Sequence, residues 1–326
     1  MPQGALLTDL ESTTPPELAA RLESLGYDSV WTGELWGTDA FVRLTNVAHA
    51  VDDVALGTAI VNVFSRSPAV LAGAAAELDD VAGGEIRLGI GASTPKAVED
   101  LHGVEYDRPV RRIHETAELV RAYTAGEGRV DYDGDLFDVQ DFPALDADVP
   151  VYTAALGPAA RRATGRVADG WLPHNIPFEG LGAAFETVAE TAEEAGRDPD
   201  EITVAPYVPA AVSDDPADAH AAVRGHLAYY VGSGEGYRKA VASAFPDEAD
   251  AVAEAWREGN RGDARDAVTD EMVEALGVSG TPEEARDRLD AVAALDAVDD
   301  PLVVIPASAD DELAERTYEA LAPDNG

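Results

Sequence analysis

The sequence predicts an α/β fold of the (β/α)8 TIM barrel class, because eight short apolar segments alternate with helical patterns along the chain. A length of 326 residues accommodates one large barrel. Several segments are nearly continuous apolar runs, as expected for parallel strands that are buried on both faces. Strands that alternate with helices form parallel βαβ units. No linker or composition break divides the chain, so residues 1–326 are expected to form a single barrel domain.

The eight predicted strands lie at residues 4–8, 29–32, 56–64, 86–91, 149–154, 170–173, 202–208 and 302–306. Helix starts are recognisable between them. Thr14-Pro15-Pro16-Glu17 and Thr281-Pro282-Glu283-Glu284 are both predicted capping boxes with proline at the first helical position. Apolar residues then recur every three or four positions, which is typical of a helix with one buried face.

Two segments exceed a minimal barrel. Residues 128–142 are predicted to form a hairpin, with Asp133-Gly134 at its turn. Residues 228–280 are predicted to form a helical insertion before the last βα unit. Within it, the glycine-rich stretch 232–236 suggests either a flexible lid or a plain interhelical loop, and the loop is favoured.

The charge balance is extreme. The chain has 63 acidic and 23 basic residues, a formal net charge of −40. Acidic runs often indicate disorder, but here the acids are spread over helices with clear apolar faces. Molar salt screens such self-repulsion, since the Debye length falls to about 3 Å. The composition therefore favours the salt-rich cytoplasm of an extreme halophile and argues against nucleic-acid or anionic-membrane partners.

Other sequence features narrow the class further. No stretch approaches the roughly 18 apolar residues that span a bilayer, and no secretory signal is recognisable, so a soluble cytoplasmic protein is expected. The absence of cysteine removes disulfides and thiolate metal sites. The six histidines form no HxxxH or HxH pair, so a metal site is not predicted.

Polar residues that follow predicted strands are candidates for the active site, because barrel enzymes place it at the carboxyl ends of the strands. Asn62 offers both a donor and an acceptor, and Glu34 a general acid or base. For both, a structural role in a turn or a buried hydrogen-bond network is weighed equally. For Arg66 and for His174 the structural role is favoured, although His174 lies on the expected active face.

Two turns suggest a ligand-binding backbone. Gly89 and Gly91 end the fourth strand, where glycine lets the backbone approach a ligand closely. After the fifth strand, Gly157-Pro158 leads into an alanine-rich helix, and free N–H groups at a helix start attract anions.

Taken in order, these stretches resemble the luciferase-like monooxygenase superfamily, and most closely its branch that uses the deazaflavin coenzyme F420, typified by methylenetetrahydromethanopterin reductase. The resemblance rests on an ordered set of segments rather than on one motif. They are residues 26–31, 62–68, 88–91, 157–158 and 168–170.

The resemblance implies a flavin or deazaflavin across the strand ends, with its phosphate near the 155–158 turn. It also implies a non-prolyl cis peptide at Ala59–Ile60, in a bulge of the third strand, and a homodimer. The residues it implies for cofactor binding are Ala59, Ile60, Val61, Asn62, Ala92, Ser93, Ala155, Leu156, Gly157 and Pro158.

The chain departs from its relatives at two positions. Leu35 follows Glu34 where many relatives have histidine, and Ala92 stands where the F420-dependent sugar-phosphate dehydrogenases carry a catalytic glutamate. Proton transfer is therefore left to Glu34, His174 or water. The leading hypothesis is an F420-dependent oxidoreductase acting on a small organic substrate. The alternatives are an FMN-dependent monooxygenase and a non-catalytic flavin-binding relative.

Overall fold

The computed structural model describes residues 1–323. Its framework is an 11-stranded sheet of parallel strands that curls on itself, with helices packed outside. In chain order the strands are β1 (Gly4–Leu6), β2 (Ser29–Thr32), β3 (Ala55–Thr58), β4 (Val61–Asn62), β5 (Ile86–Gly91), β6 (Arg129–Asp133), β7 (Asp138–Pro143), β8 (Val151–Thr153), β9 (Gly170–Trp171), β10 (Thr203–Val204), β11 (Tyr207–Val212), β12 (Val278–Gly280) and β13 (Leu302–Val304).

The helices follow the strands in alternation over most of the chain. They are α1 (Pro15–Ser24), α2 (Ala40–Ala48), α3 (Pro68–Asp79), α4 (Pro109–Tyr123), α5 (Pro158–Val167), α6 (Leu181–Glu194), α7 (Pro216–Ser233), α8 (Glu235–Val241), α9 (Pro246–Arg257), α10 (Arg261–Asp266), α11 (Asp270–Leu276), α12 (Pro282–Ala293) and α13 (Asp311–Ala320). Both predicted capping boxes are present, at α1 and α12. Within residues 1–323 no helix is long and apolar enough to cross a membrane.

The strand order is β10-β9-β8-β5-β3-β2-β1-β13-β11-β12, with β4 beside β5. One stretch of chain, residues 203–212, reaches both sides of the curl, because β10 pairs with β9 and β11 pairs with β13. The prediction of a single strand at 202–208 is wrong. The strand divides around Pro206, which has no amide hydrogen to donate, although its carbonyl still accepts from the amide of Leu302 at 2.9 Å.

The predicted third strand, 56–64, is also divided. β3 ends at Thr58 and β4 begins at Val61, and β4 aligns with the end of β5 rather than extending β3 along β2. Ala59 and Ile60 lie between them, and the peptide bond that joins them is cis. The cis bond implied by the resemblance is therefore confirmed.

Two apolar layers hold the sheet. Inside the curl, a cluster of large side chains includes Trp31, Tyr152, Leu172 and Tyr207. The larger cluster lies between the strands and the surrounding helices. Because successive side chains of a strand point to opposite faces, each strand supplies both layers, which accounts for its nearly continuous apolar sequence.

The two predicted excursions differ in their agreement with the structure. β6 and β7 form an antiparallel hairpin over the segment predicted for it. The region 228–280 is helical in α8 to α11 and has its own apolar cluster, but it ends in a strand, β12, that pairs with β11. Helix α7, which leads into it, begins at Pro216 rather than near residue 228.

The 232–236 stretch is neither a lid nor an open loop. Only Gly234 lies outside helix there, between the end of α7 at Ser233 and the start of α8 at Glu235. A methyl group added at Gly232 would collide with the ring of Trp256. The glycine at 232 therefore serves close packing between α7 and α9, not flexibility.

Candidate active site

The candidate site lies at the carboxyl edge of the curled sheet, where the sequence placed it. Hydrogen bonds across neighbouring strands hold its parts at one level. The amide of Glu34 donates to the carbonyl of Ile60 at 3.4 Å, and the amide of Ala154 donates to that of Ile90 at 2.9 Å. Asn62 is the register partner of Gly91. Residues that follow four different strands therefore meet at one mouth.

The Ala59–Ile60 segment forms one wall of this mouth. Both residues are partly exposed, and their side chains pack onto the apolar cluster inside the curl. Val61 is fully buried and belongs instead to the outer layer, so it can offer a ligand only backbone atoms. A methyl group added at Gly91 would come within 3.0 Å of Ile60 Cδ1, so glycine there keeps this wall in place.

Asn62 is buried, and its side chain is largely occupied. Its Oδ1 accepts the amides of Phe64 at 3.0 Å and Ser65 at 2.8 Å, while its Nδ2 lies 3.2 Å from Nε2 of His102. This pattern holds the turn between β4 and α3. Of the two roles considered for Asn62, the geometry favours the structural one.

Glu34 and Arg66 form an ion pair at the rim. Arg66 Nη1 lies 2.5 Å from Glu34 Oε1, and only 7 % of the Glu34 side chain is exposed. The hydrogen bond with Glu34 raises the pKa of Arg66. The second guanidinium nitrogen binds Asp39 at 2.7 Å. The carboxylate of Glu34 is thus held at the rim by a guanidinium that also binds a second carboxylate.

The segment after β5 supplies a second wall. Ala92 and Ser93 are both partly exposed, and Ser93 has a left-handed backbone with a φ of 57°. The hydroxyl of Tyr106 reaches the carbonyl of Ser93 at 3.5 Å, and the Tyr106 ring stacks on Phe64 with centroids 5.2 Å apart. Stacked aromatic rings therefore flank the mouth on this side.

The 155–158 turn leads from β8 into α5. Ala155 is buried and its carbonyl accepts from Trp171 Nε1 at 2.8 Å, whereas Leu156 is partly exposed and Gly157 and Pro158 are exposed. No side chain caps α5, and its first turn has no acidic residue. The amide of Arg161 is the first in the helix with an internal acceptor, the carbonyl of Gly157. Preceding amides are thus available to an anion.

His174 is paired with a second histidine. Its Nε2 lies 3.2 Å from Nε2 of His226, and both residues are buried. Burial, with a smaller contribution from His226, lowers the pKa of His174, and burial lowers that of His226 to about 3. Both rings are neutral at physiological pH, so one donates and the other accepts.

Tyrosines surround this pair. The His174 ring lies 4.3 Å from that of Tyr230 and 4.7 Å from that of Tyr207, and 5.4 Å from that of Tyr237, measured between centroids. Such a wall excludes water from one side of the mouth. His174 is placed at the site but can act only as a neutral donor or acceptor.

Asn175 is a candidate that the sequence did not single out. Only 3 % of Asn175 is exposed, and neither its Oδ1 nor its Nδ2 has a hydrogen-bond partner among residues 1–323. Its backbone is left-handed, with a φ of 56°. Because an unsatisfied buried amide costs about 1–3 kcal/mol, a bound molecule or water is expected to complete it.

His226 and its tyrosine neighbours were also missed. His226 lies 52 residues from His174 in the chain, and the packing of α7 against β11 and β12 brings the two together. The spacing of His220 and His226 on one helix carried no signal for such a pair.

Comparisons with known proteins identify the family of this chain. Residues 11–298 match the family described as luciferase-like monooxygenase. A 5,10-methylenetetrahydromethanopterin reductase of Methanolobus tindarius is 29 % identical, with 82 % of each chain covered. The solved coenzyme F420-dependent tetrahydromethanopterin reductase of Methanopyrus kandleri aligns with a TM-score of 0.80 and 25 % identity, over 99 % of this chain and 98 % of that one.

A monooxygenase of Streptomyces bottropensis shares the same fold at 22 % identity, with a TM-score of 0.68 over 99 % of this chain and 98 % of that one. The family match spans most of the sequence. The chain belongs to the luciferase-like monooxygenase family.

Proposed function

We propose that this chain is a coenzyme F420-dependent oxidoreductase that transfers a hydride between the deazaflavin and a small organic substrate. The observation that carries the proposal is the mouth itself, where the Ala59–Ile60 wall and the uncapped start of α5 face one edge of the sheet. The similarity to reductases named for F420 supports the choice of cofactor.

The residues present fit such a cofactor. Ala59, Ile60, Ala92 and Ser93 provide partly exposed, small or apolar surfaces against which a flat ring can lie. Nothing lies within 4 Å of where a side chain at Gly157 would begin, so the α5 start is open to a phosphate. When bound, the deazaflavin supplies the hydride chemistry.

The side chains of this protein then bind, orient and exclude water. The free amide of Asn175 binds a polar group of cofactor or substrate. The carboxylate of Glu34 accepts a proton from the substrate side when the substrate is oxidised. His174 holds a neutral hydrogen bond, and Tyr207, Tyr230 and Tyr237 keep solvent away from the reacting groups.

An FMN-dependent monooxygenase is the second candidate, because the matched family is named for that activity. Oxygen uptake separates the two. The protein is mixed with reduced FMN or with reduced F420 in high salt, and oxygen consumption is recorded together with the F420 absorbance. An F420-dependent reductase changes F420 absorbance with an organic acceptor and consumes no oxygen. Because free reduced FMN reacts with oxygen by itself, transfer of an oxygen atom to the organic substrate, absent from a protein-free control with reduced FMN, would favour the monooxygenase.

A non-catalytic cofactor-binding relative is the third candidate, kept open by the apolar residues Leu35 and Ala92. Cofactor that binds and is reduced chemically, but is not reoxidised by any of a panel of alcohols, ketones and pterins, would favour it.

We further infer the finer architecture that this function uses. The pairing of residues 203–212 with both β9 and β13 supports a closed eight-unit barrel, with the helices of 228–280 as an insertion beside its mouth. The spread of acidic residues supports a salt-adapted cytoplasmic protein.

The surface of α2 and α3 supports a homodimer. These helices pack together, and α3 has no charged residue before Glu77. Val42 is 63 % exposed and Val70 is 54 % exposed on this face. In a chain of net charge −40, a nearly charge-free apolar face is where a second copy meets the least repulsion.

A further inference from the structure

A large cleft opens beside the 155–158 turn. It has a volume of about 1190 Å³ and lies between the start of α5, the segment 176–180 and the helices α8 and α11. Its wall near the turn is formed by Leu156, Gly157 and Pro158, so the cleft is continuous with the proposed phosphate position. A cleft of this size admits a ligand much longer than a single small group.

Three basic side chains that line the cleft have a buried nitrogen without a hydrogen-bond partner among residues 1–323. Arg161 donates from Nη1 to the carbonyl of Ala184 at 3.1 Å, but its Nε is buried and has no partner among the described residues. Nδ1 of His220 and Nε of Arg288, which line the same cleft, are likewise buried without a partner. The hydrogen bond that the Arg161 guanidinium makes is therefore to a backbone carbonyl and not to a carboxylate.

Lys239 lies on the opposite wall, on α8. A methyl group at Gly236, one turn earlier, would lie 3.5 Å from Leu156 Cδ1, which places this helix against the turn. Lys239 is 69 % exposed and its pairing with Glu235 is loose, at 3.4 Å. Arg238 already holds Glu235, at 2.8 Å, so Lys239 can turn into the cleft.

Four glutamates also line the cleft. Glu179 is on the 176–180 segment, Glu271 and Glu274 are on α11, and Glu284 on α12 is held by the amide and hydroxyl of Thr281. Much of the lining between is apolar, including Ile176, Ala184 and Phe245. Arg161 and Lys239 lie on the two elements that border the 155–158 turn, α5 and α8, and apolar side chains line much of the remaining cleft.

We propose that this cleft binds an elongated ligand with a carboxylate at one end, held by Arg161 and Lys239, and an apolar chain along Ile176 and Phe245. The inference rests on the proposed function, since it deepens the description of the same site. The carboxylate belongs either to the substrate or to the acidic tail of the cofactor, and Arg161 and Lys239 bind it by the same charge-assisted hydrogen bonds in both cases. The apolar chain along Ile176 and Phe245 belongs to the substrate.

The net charge of the chain makes a dedicated site necessary. A surface with a net charge of −40 repels anions at long range, and salt screens that repulsion without creating attraction. An anion is therefore attracted only where it makes short-range contacts with cationic side chains that are partly withdrawn from water. Burial lowers the pKa of Arg161, as expected for a guanidinium withdrawn from water, and it stays cationic.

The test is ligand binding by calorimetry in a fixed concentration of KCl, without turnover. Four probes are used: decanoate, the uncharged decan-1-ol, F420, and the deazaflavin nucleoside that lacks phosphate and glutamates. The double variant Arg161→Gln/Lys239→Gln is compared with two single-variant controls. Arg162→Gln lies on the exposed side of α5, and Lys96→Gln removes the other lysine of the chain.

The double variant is expected to bind at least one carboxylate probe about tenfold or more weakly, with decan-1-ol unchanged. If the double variant loses affinity for decanoate alone, the carboxylate belongs to a substrate. If it loses affinity for F420 but not for the nucleoside, the carboxylate belongs to the cofactor tail. Unchanged affinity for both decanoate and F420, or an equal loss in both controls, overturns the inference. Failure of F420 to bind the unaltered protein would instead count against the proposed function, and the decanoate comparison would still report on the cleft.

Discussion

The Nε2 atoms of His174 and His226 lie 3.2 Å apart at the carboxyl edge of the sheet, inside a wall of tyrosines. Burial lowers the pKa of both rings, so both are neutral in the folded protein. In the unfolded chain a histidine takes up a proton near pH 6.5. The stability that the pair contributes is therefore complete above that pH and is lost as the pH falls towards the folded pKa of about 3 for His226.

We expect His226→Gln to reduce the loss of stability between pH 7 and pH 5 by about 2 kcal/mol, because one such proton uptake is removed. Urea unfolding of both proteins at the two pH values, in constant KCl, measures the difference. His49→Gln is the control, since His49 is exposed. Equal pH dependence in His226→Gln and the unaltered protein would show that His226 is protonated in the fold.

Glu34→Gln is expected to lower kcat about 100-fold, because glutamine keeps the shape of the side chain but cannot accept a proton. Asp39→Asn is the matched control. It removes the other carboxylate that binds Arg66 and retains a side chain able to cap α2. If the two variants lose activity equally, Glu34 acts only by positioning Arg66. Steady-state rates with F420 distinguish these outcomes.

Gly157→Asp is expected to make the protein more stable but to weaken its binding of F420. An aspartate at this N-cap has room, since nothing lies within 4 Å, and stabilises the helix by about 0.5–1 kcal/mol. The same charge repels a phosphate and is expected to weaken F420 binding more than tenfold. Gly157→Asn provides the cap without the charge. A Gly157→Asp protein that binds F420 as well as Gly157→Asn does would exclude the phosphate from this turn.

Val70→Glu is expected to shift a dimer towards monomer, because it places a charge on the apolar face of α3. Light scattering after size exclusion, over a range of protein concentrations, measures the mass. Phe142→Glu on the exposed β7 is the control for an added surface charge. A mass that stays dimeric in Val70→Glu would place the interface elsewhere.

The sequence predicted the arrangement of strands because buried parallel strands leave a strong apolar signal, and the end of each strand then located Glu34, Asn62 and His174. It did not predict the division around Pro206, since a run of apolar residues conceals where pairing changes from β9 to β13. The Ala59–Ile60 bond came from the resemblance alone, because no local propensity marks a non-prolyl cis peptide.

Tertiary contacts account for what was missed at the site. The pairing of His174 with His226 depends on how α7 packs against the sheet, and the unsatisfied amide of Asn175 depends on which side chains bury it. The helical pattern at 228–280 was recognisable, but β12 was not, because three residues with a single large apolar side chain give too short a signal.

The most direct test of the central claim is cofactor binding by the purified protein in high salt. F420 and FMN are titrated separately, and binding is followed by fluorescence quenching and calorimetry. The proposed function predicts micromolar or tighter binding of F420 and much weaker binding of FMN. Tight binding of FMN with no detectable binding of F420 would contradict it.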